Sequence, residues 1–389
     1  MAFIPYSAQS IDEADIAAVT AVLRADFLTQ GPAIPTFETA FAQRHGSRHA
    51  IAMSNATAAL HLACLALGVG PGSLVWTSPN SFVASANCAR YCGADVDFVD
   101  IDPKTRNMSL DRLREKLVAA EVSGHLPKVV IPVDFAGFSC DLREMRALAD
   151  QYGFAILEDA SHATGASYLG APTGSAWADL SVFSFHAVKI VTTAEGGMIT
   201  TNDDALAESL LNLRSHGITR DAALMRGEPD GPWYYEQIEL GYNYRLTDLQ
   251  AALGTNQLAR LSAMHERRVA LADRYDSILA DLPLDLPPRA NDRDSAWHLY
   301  VVEIRQPGPS RKAVFETLRE AGIGVNVHYI PIHTQPYYRS LGFKQGDFPA
   351  AEAYYANAIS LPLFPALTEE QQDYVASTLR AALAGGGTA

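Results

Sequence analysis

The 389-residue sequence predicts an α/β protein: a large domain over residues 1–250 with a mostly parallel, seven-stranded sheet, and a smaller C-terminal α/β domain over residues 251–389. Three observations lead there. Between His49 and Asn202, short apolar runs alternate with helical segments, the pattern of strands covered on both faces of a sheet. After about residue 250 a long helical stretch ends in the Pro-rich LPLDLPPR, and a second set of strand and helix patterns begins. With 48% hydrophobic residues, the chain can also fill a sizeable core.

Seven runs are candidate strands: HAIAM (49–53), LVWTS (74–78), VDFVDI (96–101), KVVIPVDF (128–135), FAILED (154–159), LSVFSF (180–185) and GMITTN (197–202). ATAALHLACLAL and LREMRALADQYG are among the helices between them. The last two strands lie too close for a helical crossover, which predicts a local reversal of direction. LTDLQAALGTNQLARLSAMHERRVALADRYDSILADL reads as helical, opened by a capping box of Thr247 and Gln250. In the smaller domain WHLYVVEI and GVNVHYIPI are candidate strands, EEQQDYVASTLRAAL is the final helix, and AGGGTA is a frayed end.

A formal charge of −14 argues against a protein that tracks a nucleic-acid backbone, which would carry a basic face. Any anionic ligand must be held by local groups. The N-terminus, MAFIPYSAQSIDEADI, is acidic where a signal peptide is basic, and no stretch reaches about 18 consecutive apolar residues. The expectation is a soluble, cytoplasmic protein with no membrane partner. Cys64, Cys88, Cys92 and Cys140 lack CxxC or secreted-domain spacing and read as reduced, packed thiols. The 11 histidines form no HExxH or Cys/His cluster, so no metal is expected.

Three loops carry chemistry if they meet beyond the carboxyl ends of the strands, where open α/β sheets bind ligands. In MSNATAAL a strand gives way to a helix start whose backbone N–H groups, with Ser54, Asn55 and Thr57, suit a phosphate or serve as an ordinary N-cap. In FAILEDASHATGA, Glu158 and Asp159 close a buried strand and His162 follows; a carboxylate there can hold a proton on a ring nitrogen, cap the next turn or bind a metal. In SFHAVKIVTTAEGGM, Ser184 and His186 stand near Lys189, whose neighbours Val188, Ile190 and Val191 are apolar. Lys189 alone admits two readings: a snorkelling surface lysine, or a desolvated amine made nucleophilic near neutral pH. Together, a phosphate cradle, a strand-end carboxylate and a desolvated lysine match the needs of pyridoxal 5'-phosphate, with pyridoxamine 5'-phosphate as its amino-loaded form.

SNATAALH, EDASHATGA, FSFHAVKIVTTAEGGM, LRSHGI and LGYNYRLTDLQAALG resemble successive signatures of the DegT/DnrJ/EryC1/StrS nucleotide-sugar aminotransferases, from Tyr6 to about Pro365. The resemblance implies the fold-type I aminotransferase architecture, a homodimer with active sites at the subunit interface, and L-glutamate as amino donor. It makes Lys189 the lysine that joins the cofactor aldehyde and shuttles protons, and Asp159 the partner of the pyridine nitrogen. It puts His162 on the ring face or at its 3-hydroxyl. Ala56, Thr57 and Ser184 would hold the phosphate, and Asn243 would reach the phosphate of the neighbouring subunit. Phe82 would stack on the other ring face, its alternative being a core aromatic. Some relatives are sugar dehydratases with histidine at the position of Lys189, so the lysine favours amino transfer.

Within that group YSAQSIDEADI, DFLTQGP, SFVASAN, SFHAVK, RSHGIT, WYYEQIELGYNYR and HYIPIH are most similar to the branch serving pseudaminic acid synthesis. That branch converts a UDP-linked 4-keto-6-deoxy-N-acetyl-L-hexosamine into its 4-amino sugar. The similarity implies that Tyr6, Phe27, Leu28, Thr29, Gln30, His186, His328 and Tyr329 lie near the UDP-linked keto sugar. The segment between Gly217 and Gly241 departs from the pattern and is long enough to cover a substrate. Arg214, Arg220 and Arg245 are candidates for the pyrophosphate.

Overall fold

The computed structural model describes residues 3–385, so the AGGGTA end lies outside the described residues from residue 386 on. All seven sequence-predicted strands form, and they make one sheet. Its order is His49–Met53, Gly197–Thr201, Leu180–Ser184, Ala155–Asp159, Val129–Ile131, Leu74–Thr77, Asp95–Phe98. From Leu180–Ser184 to Asp95–Phe98 every neighbouring pair is parallel. Gly197–Thr201 runs antiparallel to both of its neighbours, as its short link to Leu180–Ser184 requires.

Alternate residues of each strand enter opposite cores. Val75, Ile131, Leu157, Val182 and Ile199 pack with Leu60, Ala63 and Leu210 of the helices Ala56–Ala66 and Asp204–Arg214. On the other face Ala52, Phe183 and Met198 meet Phe37 and Phe41, while Trp76, Val130 and Ile156 meet Leu113 and Met145. Burial on both faces explains why these strands read as continuous apolar runs.

The predicted long helical stretch is two helices, Asp248–Ala259 and Leu261–Leu279, abutting at Arg260; the Thr247/Gln250 capping box is formed. Beyond them Leu284–Asp285, Tyr300–Ile304 and Ala358–Leu361 make a small antiparallel sheet covered by Leu261–Leu279, Arg311–Glu320 and Glu369–Ala384. Ile4 packs into this second core, and Tyr6 O accepts from Leu363 N at 3.0 Å. Among the described residues no helix is long and apolar enough to cross a membrane.

One expected strand is absent. GVNVHYIPI contributes a single bridge, Asn326 with Ser360, and Ala358–Leu361 takes the place beside Tyr300–Ile304. The backbone donors of that segment are engaged elsewhere: Tyr329 N donates to Asn80 Oδ1 at 3.3 Å and Ile332 N to Pro79 O at 2.9 Å. The segment is tied to the large sheet's loops instead of to a ladder.

Candidate active site

Asp159 and Ser184 end adjacent parallel strands, Met53 ends a third, and Gly197 begins the antiparallel strand between Met53 and Ser184. Four loops therefore converge on one edge of the sheet, around a cavity of about 740 Å³. Of the residues singled out in the sequence, Tyr6, Ala56, Thr57, Phe82, Asp159, His162, Ser184, His186, Lys189, His328 and Tyr329 line it. Segments as far apart in the chain as Tyr6 and Tyr329 thus meet at one place.

Lys189 sits in the turn between Ser184 and Gly197, its N–H donating to His186 O at 2.9 Å. Ile190 and Val191 anchor the turn in the core, with Val191 fully buried. Burial draws the Lys189 ammonium down to about 7, against the pull of the Asp159 charge. Lys189 is half-buried on the cavity wall, which is not the setting of a snorkelling surface lysine, and burial favours its neutral form near pH 7.

Asp159 is buried, and its carboxylate is gripped from behind. Ser85 Oγ donates to Asp159 Oδ2 at 2.6 Å, and Ser161 N to Oδ1 at 3.2 Å. Ser81 Oγ lies 2.7 Å from Ser85 Oγ. The serines went unassigned in the sequence, although their spacing of four within SFVASAN was a helical-face signal.

His162 stands beside them with both ring nitrogens engaged, by Ala136 N at 3.3 Å and the Tyr329 hydroxyl at 3.1 Å. Burial, the Lys189 charge and His328 hold it well below the ordinary histidine range. His298 is lowered in the same way, and burial draws His328 down to about 3. Three neutral imidazoles therefore surround the amine. His298, overlooked as the start of a strand pattern, packs its ring 4.5 Å from His162. Phe82 is 59% exposed at the cavity wall, which rules out a core aromatic; its ring is 6.4 Å from that of Tyr329.

The helix Ala56–Ala66 points its N-terminus into the cavity. The Asn55 side chain accepts from Ala58 N at 2.8 Å and the Asn55 carbonyl from Ala59 N at 3.0 Å. The N–H groups of Ala56 and Thr57 are left for a ligand. Gly197 lets the strand approach this cradle: a Cβ there would lie 2.7 Å from Ala56 N and Asn55 C. An anion cradle, the nearby Ser184 hydroxyl, an open aromatic wall, a buried carboxylate and a desolvated amine fit pyridoxal phosphate. Ala56, Thr57 and Ser184 suit its phosphate, Asp159 its ring nitrogen, Lys189 its aldehyde, and Phe82 and His162 its ring.

Some expected residues lie elsewhere in the single chain. Phe27, Leu28, Thr29 and Gln30 are exposed and do not line the cavity, because Thr29 bridges Thr247 and Gly31 N is held by Asp248 at 2.8 Å. Asn243 is exposed too, bridged to Ser215. None of the three candidate arginines lines the cavity. Arg214 is bound within the fold, 2.5 Å from Glu38 Oε1 and 2.8 Å from Ala52 O; Arg220 lies over the Tyr235 ring. The segment after Gly217 forms a small hairpin, Ile218–Thr219 with Glu236–Gln237, that exposes Trp233 and does not cover the cavity. Its base is pinned where Gly217 has φ +66 and a Cβ would fall 2.1 Å from Glu239 O.

The chain matches the DegT/DnrJ/EryC1/StrS aminotransferase family over residues 9–380. It is 40% identical over 383 residues to the spore coat polysaccharide biosynthesis protein SpsC of Bacillus subtilis, covering 97% of this chain and 96% of that protein. The PLP form of Spr1654 from Streptococcus pneumoniae superposes with a TM-score of 0.89 at 31% identity, over 99% of this chain and 100% of that one. Helicobacter pylori PseC, an aminotransferase of pseudaminic acid biosynthesis, gives 0.89 at 32%, over 98% and 99%. With its family signature spanning nearly the whole chain and a lysine-centred cavity at the sheet edge, the protein belongs to the DegT/DnrJ/EryC1/StrS aminotransferases.

Proposed function

We propose that this pyridoxal phosphate-dependent aminotransferase moves an amino group from L-glutamate to the 4-keto carbon of a UDP-linked 4-keto-6-deoxy-N-acetylhexosamine. In this reading it performs the L-altrosamine-forming step of pseudaminic acid synthesis. The observation that carries amino transfer is the meeting of Lys189, Asp159 and the Ala56 helix start in one cavity. The choice of sugar is supported by the sequence signatures and by the likeness to PseC.

When bound, pyridoxal phosphate supplies an aldehyde that carries the amino group and a ring that spreads the charge left by a departing proton. Lys189 Nζ, poised near neutrality, takes the proton from the α-carbon of glutamate and returns one to the sugar C4 in the second half-reaction. The Asp159 carboxylate holds a proton on the ring nitrogen. Neutral His162, His298 and His328 add no positive charge beside the amine. The first product leaves before the second substrate binds, so the kinetics are ping-pong. The working unit in this reading is a homodimer, in which Asn243 of each copy serves the cofactor phosphate of the other.

Purified protein offered L-glutamate and a panel of UDP-, dTDP- and GDP-linked 4-keto sugars tests the reading. The expected result is 2-oxoglutarate release and a UDP-linked 4-amino sugar by mass spectrometry, best with the L-configured substrate. Turnover of a dTDP- or GDP-linked sugar alone would overturn the substrate, and absence of 2-oxoglutarate with every sugar would overturn amino transfer. The 40% identity to SpsC, a spore-coat polysaccharide protein, favours another keto sugar as the second reading.

A further inference from the structure

The cavity wall holds two hydroxyls that the mechanism above leaves without work, those of Ser81 and Ser85. Ser81 is 4% exposed and Ser85 fully buried, so neither is a solvent-facing serine. Ser85 Oγ lies 2.6 Å from Asp159 Oδ2, and Ser81 Oγ 2.7 Å from Ser85 Oγ. The directions follow from chemistry. An ionised carboxylate only accepts, so the single Ser85 proton goes to Asp159; Ser85 Oγ is then the acceptor from Ser81. Hydroxyls in series polarise one another, which strengthens the terminal bond to the carboxylate. Ser85 begins the second position of helix Ala84–Tyr91, whose Cys88 and Ala89 are packed in the core, so the donor is fixed by a rigid element and not by a loop.

We propose that Ser85, oriented by Ser81, is a positioning residue that acts through Asp159: it locks the carboxylate's rotation and stabilises its charge, so that the carboxylate keeps a proton on the cofactor ring nitrogen. This rests on the reading of Asp159 as the ring-nitrogen partner. Ser161 N donates to the other oxygen, Oδ1, at 3.2 Å, so it does not replace the hydroxyl lost from Oδ2. Without Ser85 the carboxylate turns more freely and competes harder for the shared proton, so the ring spreads charge less well.

The test uses the holoenzyme with Ser85→Ala, Ser85→Cys and Ser81→Ala. Expected for Ser85→Ala is a fall in kcat of about tenfold, the scale of one hydrogen bond to a charged group, with KM for L-glutamate within about twofold because the loss falls on the proton-transfer step. The bound cofactor's visible absorbance should also titrate at a shifted pH. Ser85→Cys, a weaker donor, should restore part of both effects, and Ser81→Ala should shift the absorbance in the same direction by less. A Ser85→Ala enzyme whose absorbance titration matches the wild type would overturn the proposal, even if its melting temperature falls, since a purely structural serine moves only the latter. If Ser85→Ala fails to fold, Ser81→Ala decides by the same absorbance criterion. Wild-type protein that shows no Lys189-dependent cofactor absorbance would instead overturn the reading of the site itself.

Discussion

His162 Nε2 lies 3.1 Å from the Tyr329 hydroxyl, while its Nδ1 faces the Ala136 N–H at 3.3 Å. A backbone N–H only donates, so Nδ1 is the acceptor and the ring proton of this neutral histidine sits on Nε2. The phenol oxygen accepts it. Tyr329 is thereby oriented by a backbone group on the far side of His162. Tyr329→Phe leaves the buried Nε2–H without a partner and should lower unfolding stability by about 1–3 kcal/mol. Urea titration of the two proteins measures it, and an unchanged midpoint would refute the pairing.

Lys189→Ala should abolish turnover while the protein still retains cofactor, because the phosphate cradle does not involve the lysine. In the proposed mechanism the neutral amine is the working form. Burial lowers its pKa to about 7, so the population of working enzyme rises with pH through about 7 and flattens above it. A pH–kcat profile with no inflection near 7 would count against Lys189 as the proton carrier.

Glu158, in the strand that ends in Asp159, and Asp134 are fully buried, and their carboxyls interact with each other. Burial raises both carboxyls, Asp134 to about 6 and Glu158 well above its usual value. The sign follows from linkage: the folded chain holds the Asp134 proton more tightly than the unfolded one. The stability this contributes is complete below about pH 4 and is lost as pH rises through about 6. Asp134→Asn keeps an oxygen for the Cys140 N–H, now accepted at 2.8 Å, and cannot ionise. It should gain stability over the wild type between pH 5 and 8, by up to about 3 kcal/mol. Thermal melts at the two pH values check this.

Arg214 is one of the three arginines that the sequence offers to a pyrophosphate, but its guanidinium is bound to Glu38 and Ala52 O in a largely buried pair. Arg214→Ala strands the Glu38 charge and should cost about 3–5 kcal/mol of stability. Folded variant should keep its KM for the nucleotide-sugar. A raised KM without loss of stability would return Arg214 to the substrate.

Much of this was legible because the signals are local. Seven strands declared themselves as apolar runs, and the one reversal followed from a link too short to cross over. Lys189 was marked by its apolar neighbours, Asp159 by a strand end and the Ser54–Thr57 helix start by its caps, signals whose physics spans three or four residues, while Ala56 came from the family resemblance. GVNVHYIPI failed as a strand for the opposite reason: its pattern is right, but Tyr329 and Ile332 donate to Asn80 and Pro79, some 250 positions earlier. Nothing local marks such a competitor.

The sequence by itself determined the sheet, the reversal, the family signatures and the three groups that we propose meet a phosphate, a ring nitrogen and an aldehyde. Only the tertiary structure decided that Phe82 faces the cavity, that Arg214 does not, that His162 carries its proton on Nε2, and that Ser85 grips Asp159 across 74 positions of chain. Periodicity and capping record what a residue does with its near neighbours. A side chain's partner, burial and charge state depend on which distant elements pack against it, and that is set by the assembled core.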